Sequence, residues 1–244
     1  MMTEVDSIKD QLIDRLWLPI ALEGGLIFFP RLRKNKRMKL FTLTNDRNFN
    51  EIIKFENNKL TKRKQIVAWA RDTFKKIRLE TESIGLVLGG SLFEDSILSN
   101  SCPLVEHFPR DLINLDFSSQ YPELENGRVE REINSLEKTI YLQYQKNGSS
   151  FVLLLTTLID SNDIERDVIV QSSNVIQISG WVGLNIANFS QVISDVNEKS
   201  DLIKALTIEL CQKYGYINIK SDGAILAIPR SREQLCSVVG IFRK

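Results

Sequence analysis

The sequence predicts an α/β fold: a mostly parallel open sheet with a terminal β-hairpin and an N-terminal helical extension. Apolar runs such as "IVAWA" and "SFVLLLTTLI" are continuous, which is typical of strands buried on both faces. Helical stretches separate these runs, as they do between parallel strands. An Asp-Gly pair between two late β-type runs is a hairpin signal and predicts that the sheet closes with an antiparallel pair.

The N-terminal segment predicts a helix over residues 7–18, with Ser7 as N-cap. Its apolar residues recur at helical spacing: Ile8, Leu12, Ile13, Leu16 and Trp17. Pro19 is expected to end or kink this helix, because proline lacks the amide proton that a helix interior uses. The following "GGLIFFPRL" is interpreted as a short strand or turn.

The remaining elements are expected to alternate. Strands are predicted at 38–44, "IVAWA", "LVLG", "DLINLDF" and "SFVLLLTTLI", and helices near 49–55, 72–82, 127–147 and 200–213. Phe74, Ile77 and Ile84 are expected to face inward from the second, mainly polar, of these helical stretches. The late run "INIKSDGAILAIPR" is interpreted as two strands around a "KSDG" turn. Without repeats or linkers, residues 1–37 are predicted to be a helical and basic extension, and residues 38–244 a single domain.

Composition narrows the class of protein. The chain has 244 residues, of which 43% are hydrophobic, enough to build a substantial core. Its three cysteines are widely spaced and it has one histidine, so neither a disulfide framework nor a zinc site is predicted. The charged start and the lack of a long apolar run predict neither export nor membrane insertion, which favours a cytoplasmic protein.

Charge is distributed unevenly although the net charge is +1. Residues 1–80 carry 18 Lys and Arg against 10 Asp and Glu, a net of +8, and the remainder is acidic. Six cations lie within nine residues: Arg31, Arg33, Lys34, Lys36, Arg37 and Lys39. This basic loop predicts contact with DNA or RNA, and the uneven charge distribution predicts a protein partner. The alternative is that the basic loop is simply solvated.

The order of elements resembles the class I S-adenosylmethionine-dependent methyltransferase fold over roughly residues 38–230. The strands that carry the resemblance are "MKLFTLTND", "IVAWARD", "LVLGGSLFED", "DLINLDF", "FVLLLTT" and the terminal "YINIKSDGAILAI". In open sheets of this kind, ligands bind outside the carboxyl ends of the strands. The resemblance therefore implies S-adenosylmethionine as cofactor and places its binding residues at those ends.

Carried over position by position, the resemblance implies that the loop from Thr44 and the acids Asp72 and Asp95 bind the cofactor. It implies that Asp116 with Phe117 serves catalysis at the end of the fourth strand. The sequence departs from the family in two places. The loop "TLTNDRNFN" has no glycine, and Asp116 is followed by Phe-Ser-Ser instead of the Pro-Pro-aromatic of members that methylate amino groups of nucleic acids.

These departures predict a scaffold without catalysis: a binding or assembly subunit of a prokaryotic nucleic-acid modification or phage-defence system. An active methyltransferase acting on nucleic acid is the alternative. A third hypothesis is a metal-dependent nuclease that uses Glu94, Asp95, Asp116 and Asp160, since Mg²⁺ prefers oxygen ligands.

Overall fold

A computed structural model describes residues 4–28, 37–43, 49–71, 73–89, 92–99, 101–117, 128–160, 199–228 and 233–244. The helices are α1 Glu4–Leu12, α2 Leu18–Phe28, α3 Asn50–Asn57, α4 Thr73–Thr81, α5 Phe93–Leu98, α6 Arg128–Gln145 and α7 Lys199–Lys213. The strands are β1 Leu40–Leu43, β2 Ile66–Ala70, β3 Leu86–Gly89, β4 Leu112–Asp116, β5 Ser150–Asp160, β6 Ile217–Ala227 and β7 Glu233–Arg243. A π-helical turn, Ile13–Trp17, joins α1 to α2, and 3₁₀ turns lie at Arg63–Gln65 and Pro103–His107.

One seven-stranded sheet organises the described chain, in the order β3-β2-β1-β4-β5-β7-β6. The first five strands of this order are parallel, whereas β7 is antiparallel to both β5 and β6. The predicted fold class, a mostly parallel open α/β sheet with a terminal antiparallel pair and N-terminal helices, is confirmed.

Two apolar layers cover the sheet. One face packs with α1, α2 and α3 through a core that includes Trp17, Phe55, Leu112 and Leu154. The opposite face packs with α5, α6 and α7 around a core that includes Phe41, Phe93 and Phe151. Because both faces are covered, the central strands are mostly apolar on both sides, which is why their sequences do not alternate.

The N-terminal helix is longer than predicted. Pro19 does not end it, because the preceding residues form a π-helical turn in which the Leu18 amide donates to the Ile13 carbonyl. The "GG" segment, interpreted as strand or turn, is helical in α2. A Cβ on Gly24 would lie 2.3 Å from a Val152 methyl, so glycine here lets the helix approach β5 closely.

Two further predictions are wrong. Phe74 and Ile77 of α4 face solvent, and Phe74 is 88% exposed, because Leu79 supplies the inward contact of this helix. The "KSDG" segment is not a turn: Lys220 to Gly223 pair continuously with β7, and the hairpin connection comes after Ala227. None of the helices in the described ranges is long and apolar enough to span a bilayer.

Candidate functional site

The carboxyl ends of β1, β2, β3 and β4 meet at one edge of the sheet. Strand order reverses beside β1, since β2 and β3 lie on one side of it and β4 on the other. In open α/β sheets ligands bind outside this edge, at the reversal point. Asp116, the last residue of β4, lies directly at that point.

Asp116 is held by a lysine of the N-terminal helix. Nζ of Lys9 lies 2.7 Å from Oδ2 of Asp116, and the two side chains are only 7% and 6% exposed. Lys9 shares the inner face of α1 and the π-helical turn with Leu12, Ile13 and Leu16, three and four residues apart. The lysine therefore reaches the sheet edge from within an apolar surface, and the ion pair is shielded from water.

Sequence reasoning missed Lys9, although a signal was present. A lysine among apolar residues on the inner face of a predicted amphipathic helix requires a buried acceptor. The acceptor lies 107 residues away in the chain, and the helical pattern alone does not indicate which carboxylate it is.

Polar side chains continue from Asp116 across the next two strands. In the sheet register Asp116 pairs with Thr156, and Thr156 pairs with Ser237. The hydroxyls of Thr156 and Ser237 lie 3.0 Å apart, and Trp17 donates its indole N–H to Ser237 Oγ at 2.8 Å. The N-terminal helix thus seals this row of polar groups with Lys9 at one end and Trp17 at the other.

A second buried polar pair lies at the reversal point itself. Asn114 of β4 donates from Nδ2 to Oγ1 of Thr42 in β1 over 3.1 Å, and both side chains are buried. Oδ1 of Asn114 has no hydrogen-bond partner, counting the described residues. Neither residue follows from the sequence, because each occupies a position inside an otherwise apolar strand.

Of the three residues predicted to bind the cofactor, the structure describes one. Asp72 lies outside the described residues, as does Thr44. Asp95 is exposed in the first turn of α5, while its neighbour Glu94 is fully buried. The inward side of this short helix carries Phe93 and Ile97, so Glu94 is the acid that the helix turns toward the core.

Gly89 has a packing role at the end of β3. Its φ is +117°, and a Cβ here would lie 2.0 Å from the Ala70 carbonyl oxygen of β2. Only glycine fits this close approach. Strand packing therefore accounts for the first glycine of "LGGSLFED".

Phe117 lies in the core beneath the sheet edge. It is 1% exposed and its ring centroid is 6.3 Å from that of Phe93, which also contacts Phe41 and Trp69. The ring supports the end of β4 from the face opposite Lys9. The catalytic role predicted for Asp116 and Phe117 remains a prediction.

The predicted nucleic-acid residues fall mostly on undescribed positions. Four of them lie outside the described residues: Arg31, Arg33, Lys34 and Lys36. Arg37 is half-buried, and Lys39 is exposed and donates its backbone amide to Asp111 Oδ2 at 2.8 Å. Contact with DNA or RNA through this basic loop stays a prediction.

Titratable groups elsewhere give little support for metal or histidine chemistry. Across the described ranges, no group of three or more His, Cys, Asp or Glu side chains could hold a metal ion. Burial, together with nearby Arg110, lowers the pKa of His107. This residue ends the 3₁₀ turn Pro103–His107, whereas Asp116 ends β4. The nuclease hypothesis therefore gains no observation in its favour.

Comparisons with known proteins give structural likenesses only. No family model matches the sequence, and no curated protein matches it. M. jannaschii TYW2 in complex with AdoMet is 9% identical, with a TM-score of 0.44 over 91% of this chain and 77% of that one. The plantazolicin methyltransferase BamL, with a triazolic desmethylPZN analog and SAH, is 8% identical, with a TM-score of 0.42 over 96% and 88%.

NSun6 from Pyrococcus horikoshii with SFG is 12% identical, with a TM-score of 0.37 over 91% of this chain and 51% of that one. The seven-stranded sheet with its closing antiparallel pair is the methyltransferase-like fold that the sequence predicts.

Proposed function

We propose that the protein is a cytoplasmic, methyltransferase-like subunit that binds or assembles partners and does not itself transfer a methyl group. Its setting is a prokaryotic nucleic-acid modification or phage-defence system. The observation that carries the proposal is the buried ion pair between Lys9 and Asp116. The acid at the reversal point of the sheet is committed to the protein's own N-terminal helix.

An acid that orients or deprotonates an acceptor needs an oxygen within hydrogen-bond reach of it. Oδ2 of Asp116 instead lies 2.7 Å from Lys9 Nζ, and neither side chain is exposed to a ligand. Separating a buried ion pair leaves charges without compensation, at a cost of about 3 to 5 kcal/mol. The pair therefore supports a structural use of this acid.

The loop after β1 supports the same proposal. Residues 44–48 read "TNDRN" and include no glycine. Close approach of a backbone to a cofactor phosphate or sugar usually needs glycine, because any Cβ obstructs it. In this proposal, the six cations between Arg31 and Lys39 in the sequence attract DNA or RNA, and the acidic remainder of the chain attracts a basic protein partner.

An active S-adenosylmethionine-dependent methyltransferase is the second candidate, and one arrangement favours it. Asp95 is exposed in the first turn of α5, after β3, and the ring of Phe74 is exposed just after β2. An acid and an exposed aromatic ring at neighbouring strand ends fit a nucleoside, which offers hydrogen-bond donors and a flat face. In that case Asp72 or Asp95 would hold the nucleoside of the cofactor.

Isothermal titration calorimetry with S-adenosylmethionine separates the two candidates. We expect no heat of binding in the micromolar range for the wild-type chain. Micromolar binding that disappears in Asp72→Ala and persists in Asp222→Ala would overturn the proposal in favour of the enzyme. The Asp222→Ala variant is the matched control, because its carboxylate is exposed on β6, at the end of the sheet away from β2 and β3, and the substitution removes the same charge.

A further inference from the structure

A groove lined in part by two tyrosines and a lysine lies on the face of the sheet opposite the N-terminal helix, and further tyrosine and lysine side chains adjoin it. It has a volume of about 360 Å³ and opens where α5, α6 and the end of α7 meet. Its lining residues are Leu98, Asn134, Glu137, Lys138, Tyr141 and Tyr214. None of them belongs to the strand-end site or to the basic loop, so the groove is a separate feature of the surface.

Three tyrosine rings form a continuous surface at this groove. The Tyr214 ring lies between two rings of α6, with centroids 5.7 Å from Tyr141 and 5.8 Å from Tyr144. Tyr141 and Tyr144 are three residues apart and therefore neighbours on the helix surface. Tyr144 is 41% exposed, so part of this aromatic surface faces solvent.

Each ring is accompanied by a lysine. Lys138 lies 5.3 Å from the Tyr141 centroid, Lys213 lies 5.4 Å from that of Tyr214, and Lys244 lies 4.2 Å from that of Tyr144. Cation–π contacts hold ammonium groups beside the rings without removing their charge. Aromatic faces and positive charges thus alternate along the groove.

Glu137 fixes the centre of this surface. Its Oε1 accepts a hydrogen bond from the Tyr214 hydroxyl at 2.8 Å and an ion pair from Lys213. Lys244 is anchored through its backbone amide, which donates to the Ser149 carbonyl at 2.7 Å. The Tyr214 ring and the Lys213 ammonium group are therefore held by Glu137 before any ligand arrives, which lowers the entropy cost of binding.

The chemistry of the groove selects its ligand. Flat bases stack on tyrosine rings without regard to sequence, and a phosphate backbone beside them is attracted to lysines. An aliphatic peptide fits poorly, since among the described residues Leu98 is the one aliphatic side chain in the lining. A lone phosphate fits poorly too, because it would use the cations and leave the rings without a partner.

We propose that this groove binds single-stranded nucleic acid, with bases on Tyr144 and its neighbouring rings and phosphates beside Lys138 and Lys244. This inference rests on the proposed function, because it assumes that the protein works on nucleic acid. Its test is independent of S-adenosylmethionine, so failure of the groove and failure of the non-catalytic proposal are distinguished by separate measurements.

Fluorescence anisotropy with a fluorescein-labelled 20-nucleotide thymidine strand tests the groove. Tyr144→Ala is expected to weaken binding about ten-fold, and Tyr144→Phe to retain it, because stacking needs the ring and not the hydroxyl. Lys138→Ala and Lys244→Ala are each expected to reduce the slope of log affinity against log salt by about 0.7.

Lys220→Ala is the matched control. Lys220 is a half-exposed lysine of β6 that pairs with Glu23 of α2, on the other face of the sheet. It should change neither the affinity nor the salt slope. Circular dichroism melting confirms that each variant is folded before its affinity is compared.

Three results would overturn the inference. The first is wild-type affinity in Tyr144→Ala, and the second is a duplex of the same length that binds as tightly as the thymidine strand. The third is a salt slope that Lys220→Ala lowers as much as Lys138→Ala or Lys244→Ala does. A poly-glutamate peptide provides the remaining comparison. If it binds in a manner that depends on Tyr144 while the thymidine strand does not bind, the groove serves an acidic protein and the nucleic-acid inference is wrong.

Discussion

The two polar regions of the molecule differ in what their side chains contact. At the carboxyl edge of the sheet, Lys9 pairs with Asp116 and Trp17 pairs with Ser237, and all four side chains are buried. At the groove, Tyr144, Lys138 and Lys244 are positioned by neighbours yet remain accessible. At the edge where an α/β fold places its ligands, the end of β4 is therefore closed by the N-terminal helix, and the groove with its aromatic and cationic side chains lies on the opposite face of the sheet.

The largest expected difference concerns stability at the closed edge. Lys9→Met removes the cation from a buried carboxylate and is expected to lower the free energy of unfolding by about 3 kcal/mol. Lys54→Met is the control, since Lys54 pairs with Asp10 and Asp14 at a partly exposed site and should cost about 1 kcal/mol or less. Urea denaturation measures both. Equal losses would show that the Lys9 pair behaves as a surface pair.

A smaller loss of stability is expected when the hydrogen bond between Trp17 and Ser237 is removed. Trp17→Phe keeps an aromatic ring but removes the N–H that binds Ser237, at an expected cost of about 1 to 2 kcal/mol. Ser237→Ala removes the same hydrogen bond from the other side. In a double-mutant cycle measured by thermal unfolding, the two losses should be less than additive. Strict additivity would mean that this hydrogen bond contributes nothing to stability.

The smallest effect concerns ionisation at the groove. Burial, the hydrogen bond to Glu137 and the charge of that carboxylate raise the pKa of Tyr214. A raised pKa in the folded state means that the stability contributed by Tyr214 is complete below about pH 10 and declines as the pH rises further. Glu137→Gln should lower this pKa toward its ordinary value. Absorbance at 295 nm, titrated against a Tyr214→Phe background, measures the shift; an unchanged pKa would contradict the contact.

The sequence predicted the parts of the fold that depend on local pattern. Continuous apolar runs located β2, β4 and β5, because strands buried on both faces need apolar residues at every position. Helical periodicity located α6 and α7, because a helix buried along one stripe repeats its apolar residues every three to four positions. Element order then predicted the mostly parallel sheet. The Asp-Gly pair misled, since pairing with β7 continues through Asp222 and Gly223 and overrides the local preference for a turn.

The site was harder to predict for a physical reason. The position of Asp116 follows from strand order, but its partner Lys9 comes from a helix 107 residues earlier, and Ser237 lies 220 residues from Trp17. The groove likewise gathers lysines and tyrosines from three separate segments of the chain. Contiguous runs such as Arg31 to Lys39 are visible in a sequence, whereas surfaces assembled by folding are not.

The π-helical turn at Ile13–Trp17 sets the angular phase of the N-terminal helix. Eight residues of regular α-helix turn about 100° each, which would leave Lys9 and Trp17 about 80° apart around the axis. The wider π turn rotates less per residue and brings both side chains toward the same edge of the sheet. Deleting a single residue from this turn would therefore rotate one anchor away from its acceptor, so the closure depends on the length of the helix as much as on its chemistry.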